Sequence, residues 1–304
     1  PATCATAWRL LSSATGDIST GGGASSNSNT PDNDETAADL DEQASGEVKP
    51  KSRRGGRNKN KNRFRQHVNP LARKFQAPGL LSETNFLPDA FQDPTKDLHL
   101  DVGCGKGGFI LKVAEADESY KKNYLGLEIR PSVVDFARDR AKRHDMDGIV
   151  HYVSCNANVD LERILGQYTG KIKRENGDHA TITEVGGKIS LVSIQFPDPH
   201  FKKSHEKRRV VNPLFVDTLA KYMETGSQIF LQSDVKPVLD YMRETFRASP
   251  YYKDDLESVE EYLCENPLGI PTEREISVQN RNLPVWRTML RRTDEIHKAT
   301  ELCD

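Results

Sequence analysis

The sequence predicts an α/β fold, a mostly parallel twisted sheet with helices on both faces, preceded by a disordered N-terminal extension. Three observations predict it. From about Leu98 onward, short β-like runs alternate with segments of helical periodicity, the order in which strand–helix–strand units build a parallel sheet. A glycine-rich turn, GCGKGG at 103–108, joins the first of those strands to the first of those helices. Residues 1–82 are poor in apolar side chains, so the core of this 304-residue chain has to come from the remainder. The organisation that follows is an extension over 1–82 and a folded domain over 83–304.

The elements follow in order. LHLDV (98–102) reads as the first strand, and Gly107 to Ala116 as a helix with Ile110, Val113 and Ala114 on one face. YLGLEI (124–129) is the second strand. Pro131 then stands in a first helical turn, where a missing N–H is harmless, and that helix runs to about His144. IVHYV (149–153), KISLVSI (188–194) and QIFLQS (228–233) are the third to fifth strands. Between the last two, Asn212 caps a helix that has Pro213 at its first position and Phe215, Leu219 and Met223 along one stripe. The polar, glycine-bearing stretch 169–187 reads as a surface insertion before the fourth strand.

The extension divides by charge. Residues 1–30 are rich in Ala, Ser and Thr, with Arg9 the only cation and Asp17 the only acid. They read as a disordered tail and equally as a Ser-rich, acid-poor transit peptide. A plastid or other organelle is therefore the expected compartment, with the nucleus or cytosol as the alternative. Residues 31–48 hold seven carboxylates and no cation, whereas 49–82 hold eleven cations and no carboxylate, densest in KPKSRRGGRNKNKNRFRQH. Blocks like these stay solvated. The basic one is a linker or sorting signal, or an arm that contacts nucleic acid phosphate. Five cysteines, an odd number without a CxxC pair, argue against a disulfide framework and against a zinc site. No apolar run approaches the roughly 20 residues of a membrane helix.

The glycine turn by itself is compatible with a structural turn, a dinucleotide site or a nucleoside cofactor of another kind. Glu128 ends the second strand, where an acid accepts hydrogen bonds from ribose hydroxyls. Asp101, two residues before Gly103, completes a D-x-G-x-G turn that resembles the first motif of class I methyltransferases, whose ligand is S-adenosylmethionine. A carboxylate suits a sulfonium and an amino group and repels the pyrophosphate of NAD. After the third strand, SCNAN (154–158) places Asn156 and the Ala157 amide where they can meet an adenine edge, or where Asn156 simply makes a turn. The fourth strand ends in QFPDPHFKKSHEKRR. Pro197 and Pro199 restrict the backbone on both sides of Asp198, and Lys202, Lys203, Lys207, Arg208 and Arg209 follow at once. This reads as a solvated loop behind a rigid turn, or as a grip on a polyanion. In the second case the cations hold phosphates and Asp198 accepts the N–H donors of a guanine.

FPDPHFKKSHEKRR resembles the signature of the tRNA (guanine-N7)-methyltransferases. GLEIR (126–130), the D-x-G-x-G turn, SCNA, TERE (272–275) and QNRNLPVWRTMLRR are similar to the family's other blocks, in order, from about Leu98 to Arg292. The resemblance implies a Rossmann-like class I methyltransferase fold and methyl transfer from S-adenosylmethionine to N7 of the variable-loop guanine of tRNA. It implies that Asp101, Gly103, Gly105, Glu128, Ile129, Arg130, Asn156, Ala157 and Gln195 hold the cofactor and that Asp198 is the essential acid. Lys202, Asp234, Thr272 and Glu275 would contact the substrate and close the pocket, and Lys203, Lys207, Arg208 and Arg209 would face RNA. No metal is implied. A WD-repeat subunit is implied only for nuclear or cytosolic members. Asp101 stands where bacterial members usually have Glu, and Asn156 where many have Asp. The competing readings are a methyltransferase acting on another guanine-containing RNA, a non-catalytic RNA-binding scaffold on the same fold, and an NAD-dependent oxidoreductase. For the last, His200 is the only acid–base candidate.

Overall fold

The computed structural model of the chain describes residues 67–77, 87–171, 186–200 and 203–298. Most of the N-terminal extension, and residues 172–185 of the expected insertion, lie outside them. The strands are β1 (Asp97–Val102), β2 (Lys122–Glu128), β3 (Val150–Ser154), β4 (Ile189–Gln195), β5 (Gln228–Ser233), β6 (Tyr252–Asp254) and β7 (Trp286–Arg292). They form one seven-stranded sheet in the order β3-β2-β1-β4-β5-β7-β6. β1 to β5 pair in parallel, and β7 runs antiparallel to both β5 and β6.

The helices are α1 (Gly108–Ala116), α2 (Pro131–Arg143), α3 (Ala157–Tyr168), α4 (Pro213–Tyr222), α5 (Lys236–Arg247) and α6 (Glu273–Gln279). α1 and α2 pack on one face of the sheet through Phe109, Ile110, Val134 and Ala137, against Tyr124 and Tyr152. α3, α4 and α5 cover the other face through Leu161, Ile164, Leu219, Leu239 and Phe246, against Leu98, Leu100 and Ile229. The two-residue period of a strand sorts β1 between these layers. Leu98, Leu100 and Val102 enter the larger core, while His99 faces α1, its ring edge-on to Phe109 at 6.0 Å.

Local chemistry sets the helix starts. Pro131 opens α2 as expected, and Asn212 caps α4 by accepting a hydrogen bond from the Phe215 amide at 3.0 Å. α3 departs from the sequence reading. Asn156 is its cap, accepting from the Asn158 amide at 3.1 Å, so SCNAN is the entrance to a helix of twelve residues. Its first turn shows no obvious periodicity because polar Asn158 and buried Asp160 sit beside Ala157 and Leu161.

A buried arginine ties the C-terminal part together. Arg243 of α5, 2% exposed, pairs with Asp254 of β6. It also donates to the carbonyls of Ser258, Val259 and Glu261 at 3.0, 3.0 and 2.8 Å. Truncating it leaves the buried Asp254 with the more distant Arg247, at 3.6 Å, as its cation and takes the donor from three carbonyls. Arg243→Ala is expected to destabilise the fold by about 3–5 kcal/mol, read as a lower urea midpoint at unchanged slope.

Candidate active site

β1 and β4 lie side by side, but the chain leaves them toward opposite faces of the sheet, to α1 and to α4. A crevice therefore opens beyond their C-terminal ends. A cavity of about 200 Å³ occupies it. Its walls include Gly103 after β1, Glu128, Ile129 and Arg130 after β2, Asn156 and Ala157 after β3, and Gln195 to Asp198 after β4. Seven of the nine expected cofactor residues thus line one cavity together with Asp198; Asp101 and Gly105 stand just behind it.

The turn after β1 needs its glycines. Gly103, Gly105 and Gly107 have φ of 81°, 55° and 70°, in the left-handed region. A side chain at Gly103 or Gly105 would meet no atom within 4 Å, so both turn a bare backbone to open space. Gly107 is closed in: a Cβ there would lie 2.5 Å from the Tyr152 ring, whose hydroxyl donates to the Gly107 carbonyl at 2.8 Å.

Two carboxylates flank the turn, both nearly inaccessible. Asp101 is 4% exposed and accepts a 2.7 Å hydrogen bond from the Ser193 hydroxyl, its register partner on β4. The Ser193 proton is thereby used, so His99 Nε2, 3.0 Å from the same oxygen, is the donor to it. Burial holds the His99 imidazole down at about 3, so it stays neutral. Burial also pushes the Asp101 carboxyl up to about 6, against the opposing effect of Ser193 and Gln195. Gln195 is close enough to act on Asp101, but its Nε2 is buried without a hydrogen-bond partner of acceptable geometry among the described residues. Glu128 is fully engaged by protein. Arg130 donates to it from Nε at 2.8 Å, Nη2 at 2.9 Å and its amide at 3.0 Å, and the Gly105 amide donates at 3.2 Å.

Asp198 is held by its backbone. Beyond the two prolines, Phe196 and His200 on either side adopt φ of 50° and 39°, which L-residues rarely take. The Phe196 amide still extends the sheet, donating to the Gln232 carbonyl at 2.8 Å. Arg209 braces the far end of the loop, its guanidinium 4.0 Å from the centre of the Tyr241 ring. Arg208 lines the cavity and Lys207 is exposed. Lys202 and the Lys203 side chain lie outside the described residues.

A family model described as "Putative methyltransferase" matches residues 95–173 and 179–288. A tRNA (guanine-N(7)-)-methyltransferase of Synechococcus elongatus is 43% identical over 231 residues, covering 75% of this chain and 95% of that protein. Proteins of the same name from Nostoc sp. and Synechocystis sp. are 40% and 37% identical, each covering 76% of this chain and 94% and 98% of their own length. The chain belongs to the tRNA (guanine-N(7)-)-methyltransferase family.

The family's closing block lies beside the glycine turn. Arg140 of α2 reaches Glu273 at 3.2 Å, and both crowd Gly108 at the start of α1. Within the block, Thr272 caps α6 by accepting from the Glu275 amide at 3.0 Å. Glu275 is 1% exposed and wholly committed to protein. It accepts from Arg287 at 2.7 Å, Gln232 at 2.9 Å and Asn266 at 3.0 Å. The geometry therefore makes Glu275 the anchor of α6 on β5 and β7. Asp234, just past β5, pairs with Arg274 of the same helix.

Sequence reasoning missed several members of the site, His99, Ser193, Val68 and Pro70 among them. His99 and Ser193 were legible only as polar residues two positions before Asp101 and Gln195 in otherwise apolar strands. Val68 and Pro70 line the cavity from the end of the basic arm, where the only signal was the fading of charge after Arg65.

Gly107→Ala combines an unfavourable left-handed φ with a ring contact and is expected to cost about 2 kcal/mol. Paired with Tyr152→Leu in a double-mutant cycle followed by urea unfolding, it should show a favourable coupling of roughly 1 kcal/mol, the part owed to the ring.

Proposed function

We propose that this chain transfers a methyl group from S-adenosylmethionine to N7 of a guanine in tRNA, the variable-loop guanine. The observation that carries the reading is that one cavity joins a bare glycine turn between two buried acids to a backbone-fixed Asp198 with cations behind it. The name that the cyanobacterial relatives carry supports the substrate.

The residues fit the cofactor. Gly103 and Gly105 leave room that any side chain would fill, and the unpartnered Gln195 Nε2 offers a donor. Asp101 suits an ammonium and Glu128 suits ribose hydroxyls, which would displace Arg130 from its carboxylate. Asn156 is less free for an adenine edge: its Nδ2 already donates to the carbonyls of Pro70 and Phe75 at 3.2 and 3.0 Å.

When bound, S-adenosylmethionine supplies an electrophilic methyl group. Guanine N7 carries a lone pair and no proton, so the protein needs no general base and has only to hold the nucleophile in line. Asp198 accepts the N–H donors of the guanine edge and offsets the positive charge that alkylation leaves on the purine. Arg208 and Lys207 meet the phosphates next to the base; Arg208 Nε is buried without a hydrogen-bond partner among the described residues.

Three outcomes test this. Incubation with mixed tRNA and methyl-labelled cofactor, followed by nucleoside analysis, is expected to yield 7-methylguanosine; label in any other nucleoside overturns the reading. Asp198→Asn should lose turnover by roughly 100-fold or more while keeping cofactor affinity. Reversing Lys207 and Arg208 to Glu should weaken tRNA binding and shallow the plot of log K against log salt by about one unit per lost phosphate contact.

Asp101 adds a pH signature. Its folded carboxyl titrates near 6, above the ordinary 3.8. The stability it contributes is therefore full below the lower value and lost as pH rises through the upper one. An ammonium ligand needs the ionised form, so cofactor affinity should rise roughly tenfold between about pH 5 and 7 and then level off. Calorimetry reads this directly, and Asp101→Asn should leave the affinity low and flat.

A further inference from the structure

We propose that the segment His67–Phe75 belongs to the active site and that His67 is a positioning residue for Asp198. The proposal rests on the reading of Asp198 given above. His67 Nδ1 lies 2.7 Å from Asp198 Oδ1, and no other side chain among the described residues hydrogen-bonds that carboxylate. The backbone about Asp198 is fixed by two prolines and two left-handed neighbours, which settles where its Cα stands but leaves its side-chain torsions free. The carboxylate is 37% exposed, so packing does not settle them. His67 does, by hydrogen bonding to one oxygen and leaving the other for an incoming donor. Either the neutral Nδ1–H form or the imidazolium serves as donor.

The segment is built to present that ring. The Asn69 side chain accepts from the Leu71 amide at 3.2 Å, and its carbonyl accepts from Ala72 at 3.0 Å, closing a turn at Asn69-Pro70. A 3-10 turn, Arg73–Phe75, follows. The Gln76 side chain donates from Nε2 back to the Pro70 carbonyl at 2.7 Å. Asn156 then clips the segment to the cap of α3 through two carbonyls, and Val68 and Pro70 become cavity wall. The side chain expected to read an adenine edge thus also holds this segment.

The test compares the wild-type full-length chain with His67→Ala and His67→Asn, whose amide can reach the place of Nδ1. Turnover with tRNA, affinity for S-adenosylhomocysteine by calorimetry and the thermal midpoint are measured for each. His67→Ala should lower kcat about tenfold, the scale of one hydrogen bond to a charged group. Its thermal midpoint should stay within about 2 °C of wild type and its nucleoside affinity within twofold, and His67→Asn should recover most of the rate. Full turnover in His67→Ala, a loss confined to nucleoside affinity or to the midpoint, or equal defects in both variants would overturn the proposal. Nitrogen NMR of the histidine rings gives a readout independent of catalysis. The His67 Nδ1 resonance, identified by its absence in His67→Ala, should move in Asp198→Asn, and an unmoved resonance sinks the pairing. A wild-type chain that transfers no methyl to tRNA, with that resonance moving as expected, would remove the proposed reaction and leave the pairing standing.

Discussion

The divergence of the chain after β1 and β4 is the constraint from which the site follows. Two neighbouring parallel strands feed helices on opposite faces, so nothing can cover the gap beyond their ends. Polar backbone exposed in that gap has to be turned back or offered to a ligand. After β1 the glycine turn resolves this by running left-handed at three positions, with the Gly103 and Cys104 amides both donating to the Leu127 carbonyl. After β4 two prolines remove amides that would otherwise go unpaired. The polar groups come with the geometry, since the acid Asp101 and the amide Gln195 stand near the ends of strands whose other faces are committed to the core.

Two buried polar networks stiffen what surrounds the cavity. One runs from His99 through Ser193 to Asp101 across the β1–β4 pair and orients a carboxyl that burial would otherwise leave unsupported. The other joins Gln232 of β5, Arg287 of β7 and Glu275 of α6, with Arg287 also donating to Gln232 at 2.7 Å. A buried ion pair adds little net stability against an apolar alternative, but it accepts only one register. The antiparallel insertion of β7 between β5 and β6 is therefore tied to the placement of α6 and its capping Thr272 beside the glycine turn. In both networks each side chain fixes the next, an arrangement suited to aiming groups at a reacting centre.

Much of this was legible in the linear sequence. The five parallel strands, α1, α2 and α4 announced themselves because apolar periodicity, Pro at a first helical position and an Asn cap are local signals. α3 was harder, since its cap belonged to a stretch that also reads as a binding loop; α5 went unremarked although Val238, Leu239, Met242 and Phe246 mark one apolar stripe, and α6 is only seven residues long. The FPDP block with its cations and the glycine turn stood out since few backbones need those residues in that order. Glu275 was legible as a family position, yet its burial was not: nothing adjacent to a T-x-x-E says that an arginine twelve residues on will consume the carboxylate.

By itself the sequence determined the layered α/β architecture, the turn that leaves its backbone bare and the acid confined between prolines, because each is written in residues within a few positions of one another. Tertiary structure alone decided which groups those residues meet. Asp101 acquires its raised proton affinity only when the fold buries it, Ser193 donating against that shift, and Asp198 meets His67 across 131 positions of chain. Such contacts carry no periodicity and no local propensity. They exist only once strand order and helix packing have brought distant segments to the same few ångströms.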